Sequence, residues 1–247
     1  MKKTYKGIDI SSYNENINYD VIAKQVDFAI LRAGFTGWGT HSLNVDKKFN
    51  QHYDGLRQKI PLGVYWYSCA DTKERALKEA QFLLDLIADK EFSYPIYMDV
   101  EDTHNQQKLS KRELSEIVLT FTDKIESAGY YAGIYANTNW WRNELDQDLL
   151  KDVDRWVAHY GVDVPGVSGS IWQYTDKGSL PGYTGSLDLN WCSKDYPSII
   201  KNAGLNGFPA PKAGEISVKG KVKDDAELEL ARRILALMQI DIKLEKM

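Results

Sequence analysis

The sequence predicts an α/β fold, a small irregular (β/α)8 barrel of the TIM-like kind followed by a short C-terminal helical segment. Three observations lead there. Eight short runs rich in β-branched and aromatic residues recur between residues 7 and 190. Helix-period apolar patterns separate these runs in the first half and fade in the second. A length of 247 residues suits one large barrel, since α/β barrels of roughly 200–250 residues are routinely single domains. Strands alternating with helices imply parallel strands joined by right-handed crossovers. Eight of them within about 205 residues imply a small, partly irregular ring.

The elements follow in order. Gly7–Ser11 reads as the first strand, and Phe28–Gly34 as a buried strand closed by its glycine. Val45, Phe49, Tyr53 and Leu56 fall at helical spacing. Leu62–Ser68 is the third strand. Asp71–Glu74 can cap a helix with the apolar face Leu77, Ala80, Leu84 and Ile87. Pro95–Glu101 is a strand with proline at its start, where a missing N–H is tolerated. Ser110 and Glu113 form a capping box ahead of Leu114, Ile117, Val118, Phe121 and Ile125, a helix ending near Gly129. Ala132–Ala136, Arg155–Tyr160, Ser170–Thr175 and Ser186–Asn190 complete the eight strands.

Composition narrows the function classes. The 31 basic and 35 acidic residues give a net charge of -4, so there is no basic footprint for nucleic acid or an anionic membrane. No apolar run is long enough to span a bilayer. The basic start, Met1–Gly7, has no apolar stretch behind it and is not a Sec signal, which predicts a chain made in the cytoplasm. Cys69 and Cys192 lie far apart and read as buried free thiols. The 15 Tyr and 7 Trp favour rings with a polar handle, which suit an apolar surface that must also hydrogen-bond, such as a sugar groove.

Asp99-Val100-Glu101 is the sharpest chemical feature. Strand alternation puts both carboxylates on one face, about 7 Å apart along the backbone. Two acids ending an apolar strand are costly unless something uses them. In a parallel barrel such positions face the mouth. Asp9 sits near the end of the first strand and Asp188 lies in the last, and these strands become neighbours when the ring closes. Four convergent carboxylates suit a hard metal ion or glycoside hydrolysis. His41, His52, His104 and His159 have no zinc-site spacing and read as surface or loop residues. No nucleophile-elbow, P-loop or dinucleotide motif is present. No metal and no cofactor is expected.

The ordered set Gly7-Ile8-Asp9-Ile10-Ser11, Arg32-Ala33-Gly34, Gly63-Val64-Tyr65-Trp66-Tyr67, Asp99-Val100-Glu101, Trp156–Tyr160, Trp172-Gln173-Tyr174 and Leu187–Asn190 resembles glycoside hydrolase family 25. These are the Chalaropsis-type lysozymes common among phage endolysins and bacterial autolysins. The resemblance covers about residues 4–200 and implies a barrel of the (β/α)5β3 type. It also implies cleavage of the β-1,4 bond between N-acetylmuramic acid and N-acetylglucosamine in bacterial peptidoglycan. Carried over by position, it makes Glu101 the general acid/base and Asp99 the partner of the substrate acetamido group. Asp9 and Asp188 become supporting acids. Tyr65, Tyr67, Tyr135 and Trp172 become candidate groove walls, and Arg32 a candidate substrate contact that could pair with the acids. The loop Ser12–Asn16 departs from the aromatic-Gln/Asn-Gly turn of many relatives. Alternatives are a chitinase-like N-acetylhexosaminidase and an inactive wall-binding barrel. The missing leader fits an endolysin held in the host bacterial cytoplasm until release.

Near Phe208 the character changes. The expected organisation is a catalytic barrel over 1–207, a proline-stiffened linker over 208–214 and a small accessory module over 215–247. Asp224–Met238 reads as a helix whose apolar stripe is too wide to leave in water, so the module is expected to associate with a second chain or with the barrel.

Overall fold

The computed structural model describes residues 4–209. The predicted linker beyond Pro209, the helix Asp224–Met238 and the accessory module therefore lie outside the described residues. Eight strands close into a ring: β1 (Tyr5–Ile10), β2 (Phe28–Thr36), β4 (Leu62–Ser68), β5 (Ile96–Val100), β6 (Ala132–Asn137), β7 (Asp154–Ala158), β8 (Ile171–Gly178) and β9 (Leu187–Cys192). β1 pairs with both β2 and β9, which seals it. A ninth strand, β3 (Leu43–Val45), hangs outside the ring as a hairpin on β2.

β1 to β8 run parallel around the ring, but β9 is antiparallel to both of its neighbours. This corrects the expectation of eight parallel strands. Only residues 179–186 separate β8 from β9. A parallel return needs a crossover of about a dozen residues or more, so the chain can only turn back. The reversal carries the start of β9, not its end, to the mouth.

Helices follow five of the strands: α1 (Tyr19–Ile22), α2 (Phe49–Leu56), α3 (Lys73–Ile87), α4 (Lys111–Ser127) and α5 (Thr138–Asn143). None stands between β7, β8 and β9, and α6 (Tyr196–Ala203) follows the ring. The five βα units and three bare strands match the fading helical signal. The α4 capping box is complete, Ser110 and Glu113 each satisfying the other's backbone N–H. α3 is capped by Thr72, but Leu77 is 43% exposed and the buried face runs through Ala76, Ala80, Leu83, Leu84 and Ile87. Val45 belongs to β3 rather than to the helix read through it. Nor does Gly34 end its strand. β2 continues to Thr36, and a Cβ at Gly34 would lie 2.3 Å from both Trp66 and the Asn44 carbonyl, so the glycine admits Trp66 and β3.

One apolar layer lies between sheet and helices. A second fills the ring and is largely aromatic, with Trp156 edge-on to Tyr65, Tyr97 and Tyr135 at 5.9, 5.3 and 4.6 Å. The floor is tied by Asn206, whose side chain accepts from Tyr131 N (2.6 Å) and donates to the Tyr94 carbonyl (2.9 Å). Both cysteines are buried free thiols. His52 is buried, not on the surface as read. Its Nε2–H donates to the Ser11 carbonyl (3.0 Å), leaving Nδ1 to accept from the Tyr19 hydroxyl (2.9 Å). Among the described residues, no helix is long and apolar enough to cross a membrane.

Candidate active site

The aromatic filling stops below the mouth, and four carboxylates take its place. Asp9 comes from β1, Asp99 from β5, Glu101 from just beyond β5 and Asp188 from the start of β9. Asp9 and Asp188 are direct cross-strand partners in the antiparallel β1–β9 pair. Asp9 Oδ2 accepts from Gln173 Nε2 (2.9 Å) and Asn190 Nδ2 (2.7 Å). Those two amides are fixed in turn. Gln173 Oε1 accepts from the hydroxyls of Tyr135 (2.8 Å) and Tyr160 (2.6 Å), and Asn190 Oδ1 accepts from Trp156 Nε1 (2.8 Å).

Burial dominates the electrostatics. It lifts the Asp9 carboxyl to about 6 against the pull of hydrogen bonds from Asn190, Gln173 and Asp188. Burial, then the charge of Asp9, pushes Asp188 up to about 8. The pair therefore keeps a proton to higher pH than free carboxyls do. Asp99 is driven well above the carboxylate range by burial and by the charges of Glu101 and Asp9, with Arg32 opposing. Its buried Oδ1 has no hydrogen-bond partner. Glu101 is also raised, by burial and then by Asp188, so it keeps its proton to higher pH than a free glutamate.

These protons bind more tightly in the folded than in the unfolded chain. The stabilisation from Asp9 and Asp188 is complete below about pH 4, where unfolded carboxyls also titrate, and is lost as pH climbs through about 6 and about 8. Asp188→Asn is therefore expected to gain stability relative to the unsubstituted protein between pH 6 and 9, by about 2–4 °C for each kcal/mol relieved. Melting curves of both proteins across that range check it, and parallel curves would refute it.

A cleft of about 720 Å³ opens above Asp99, Glu101 and Asp188, with Arg32, Tyr65 and Tyr67 in its walls. A second depression of about 500 Å³ contains Tyr135, Asn137, Arg142 and His159. Glu101 lines both and so sits on the ridge between them. Arg32 does not pair directly with the mouth acids. It bonds Asp46 Oδ2 (2.7 Å) and Ser12 Oγ (3.0 Å), its guanidinium 4.9 Å from the Tyr13 ring and 5.4 Å from the Phe35 ring. Trp172 is not brought to either depression. It is buried beside Tyr174, and its indole N–H donates to the His159 carbonyl (2.8 Å).

Two prominent cleft residues escaped the sequence reading. Tyr13 is 82% exposed and Trp38 is 61% exposed. Trp38 donates from Nε1 to the Tyr67 hydroxyl (3.1 Å), and its ring lies 4.9 Å from His104. Both stand in loops where no periodicity marks them. The available signal was a tryptophan set between two glycines, Gly37-Trp38-Gly39, just past a barrel strand.

Comparison with known proteins agrees with this architecture. An autolytic lysozyme of Clostridium acetobutylicum is 29% identical over 232 residues, 92% of this chain and 66% of the relative. The modular autolysin LytC of Streptococcus pneumoniae, solved with a synthetic peptidoglycan ligand, superposes with a TM-score of 0.65 at 30% identity. That match covers 75% of this chain and 46% of LytC. The endolysin CTP1L shares the fold, with a TM-score of 0.69 at 23% identity over 81% of this chain and 70% of its own. The sequence profile of Glycosyl hydrolases family 25 spans residues 8–183, from the strand that carries Asp9, through Asp99 and Glu101, to the approach to β9. A closed ring with the acids gathered at its mouth, matched over that span, makes the chain a member of glycosyl hydrolase family 25.

Proposed function

We propose that the chain hydrolyses bacterial peptidoglycan at the β-1,4 bond between N-acetylmuramic acid and N-acetylglucosamine. The observation that carries this reading is the partnerless, buried Oδ1 of Asp99 in the cleft wall, two residues before a proton-holding Glu101. A buried acceptor without a donor is costly. The N–H of a 2-acetamido group on the bound sugar supplies the missing donor. The same hydrogen bond favours the ionised form of Asp99, whose proton passes to solvent as the sugar binds, so that a carboxylate faces the positive charge that develops on the acetamido group.

Two steps follow. The acetamido carbonyl oxygen attacks the anomeric carbon while Glu101 gives its proton to the glycosidic oxygen, and the bond to the leaving sugar breaks. The product is a cyclic oxazolinium ion, its N–H held by Asp99. Glu101, now a carboxylate, takes a proton from a water that opens the ring at the same carbon. Asp9 and Asp188 hold a proton between them and keep negative charge close to the cationic centre. Tyr65 and Tyr67 line the sugar path on one side of Glu101, and Tyr135 lines it on the other. The named activities of the autolysin and lysozyme relatives support a cell-wall substrate.

Mass spectrometry of digested cell walls tests this. New reducing ends on N-acetylmuramic acid are expected. Reducing ends on N-acetylglucosamine would favour a chitinase-like hexosaminidase, and binding without any loss of turbidity would favour an inactive wall-binding barrel.

A further inference from the structure

Glu79 takes no part in the chemistry above, yet it is a fully buried carboxylate on the inner face of α3. Three donors converge on it. Its Oε1 accepts from Thr36 Oγ1 (2.6 Å) and from Cys69 N (3.2 Å), and its Oε2 accepts from Ser68 Oγ (2.5 Å). Thr36 and Ser68 are the last residues of β2 and β4, so one carboxylate ties two adjacent strand ends at the mouth.

The tie continues towards the acid. Ser68 Oγ accepts from Ala70 N (3.1 Å) and from Gln106 Nε2 (3.3 Å). Gln106 is itself fully buried, and its Oε1 accepts from the backbone N–H of Asp102 (3.2 Å), the residue after Glu101. From the structure we infer that Glu79 is a positioning residue for Glu101, acting through Ser68 and Gln106 on the backbone that carries the acid. This rests on Glu101 being the proton donor.

The donor inventory explains why a carboxylate is needed. A hydroxyl has one proton and two acceptor sites. Ser68 spends both acceptor sites on Ala70 and Gln106, so its proton must go to Glu79. Thr36 Oγ1 accepts from Trp66 Nε1 (3.1 Å) and likewise turns its proton to Glu79. Glutamine in this place has one acceptor oxygen. If its NH2 faces Ser68, the hydroxyl has no free lone pair. If it faces Thr36, Cys69 N–H is left against a donor. Either orientation breaks a bond in the relay without changing side-chain size.

The test uses the full chain with three variants: Glu79→Gln, Gln106→Ala and the pair together. Turnover and half-saturation are measured on soluble glycan strands, with melting curves to establish folding. Turnover is expected to fall about 10- to 100-fold in each single variant, the scale for a slightly misplaced catalytic group. Half-saturation should stay within about twofold, because neither substituted side chain lines the cleft. The double variant should be no worse than the worse single, since both cut one relay. A folded Glu79→Gln protein with turnover within twofold of the original overturns the inference, as do effects that multiply in the double variant. If Glu79→Gln does not fold, Gln106→Ala decides alone by the same criterion. Glu101→Gln, run alongside, separates the two levels. Its retaining activity would sink the assignment of the acid, whereas an inactive Glu101→Gln beside a normal Glu79→Gln sinks only the positioning role.

Discussion

Glu101→Gln is expected to lose about 10²- to 10⁴-fold in wall lysis while folding normally. The glutamine keeps the shape of the side chain and removes the proton, so the leaving sugar must depart as an alkoxide. The environment is built for the acid form, because burial and the charge of Asp188 both hold the proton on Glu101. The position on the ridge between two depressions leaves open space on both sides of its carboxyl. Turbidity loss and mass-resolved product formation are the measurements. A variant keeping more than half of the original activity would show that the acid lies elsewhere.

The second large effect is at Asp99. Asp99→Asn is expected to lower turnover on the order of 10²-fold, the scale seen when one preorganised electrostatic contact is removed at a developing charge. Half-saturation should change far less. The amide still accepts an N–H, but it carries no negative charge to offset the oxazolinium. Two displacements at one carbon also fix the stereochemistry: the first-formed product must keep the β configuration. Nuclear magnetic resonance during early digestion reads this directly. An α product appearing first, or a sugar ester trapped on Asp99, would replace substrate assistance with water attack or a carboxylate nucleophile.

The residues show how far sequence alone reaches and where it stops. The eight ring strands were legible because each is a short apolar run with turn residues at its ends. Asp99 and Glu101 were legible because two acids break such a run. The direction of β9 was not, since alternation looks the same read either way and only the short 179–186 connection betrays the turn. β3 is three residues long and half-exposed, and α5 six residues long, too short for a period to register. Gln173 and Asn190, which hold Asp9, and Gln106 and Glu79 behind Glu101, are polar residues whose burial depends on contacts far along the chain. Arg32 lines the cleft above the acids, but its partner Asp46 comes from the segment after the unread β3.

The antiparallel β9 has a consequence for how the molecule is made. It brings both Asp188 and Asn190, and the bond from Asn190 to Asp9 spans 181 positions of sequence. Contacts of such separation carry the largest loop-closure cost and form late. Until residues 187–192 have been synthesised and zipped between β1 and β8, Asp9 has neither Asp188 across from it nor its Asn190 amide. Among the described residues, the last strand to leave the ribosome is therefore also the strand that completes the carboxylate cluster at the mouth. A growing or clipped chain that ends before Leu187 holds Asp99 and Glu101 in an open, unfinished mouth. On the function proposed above, hydrolytic competence arrives with the closing of the ring, and activity becomes a readout of the zipping of β9.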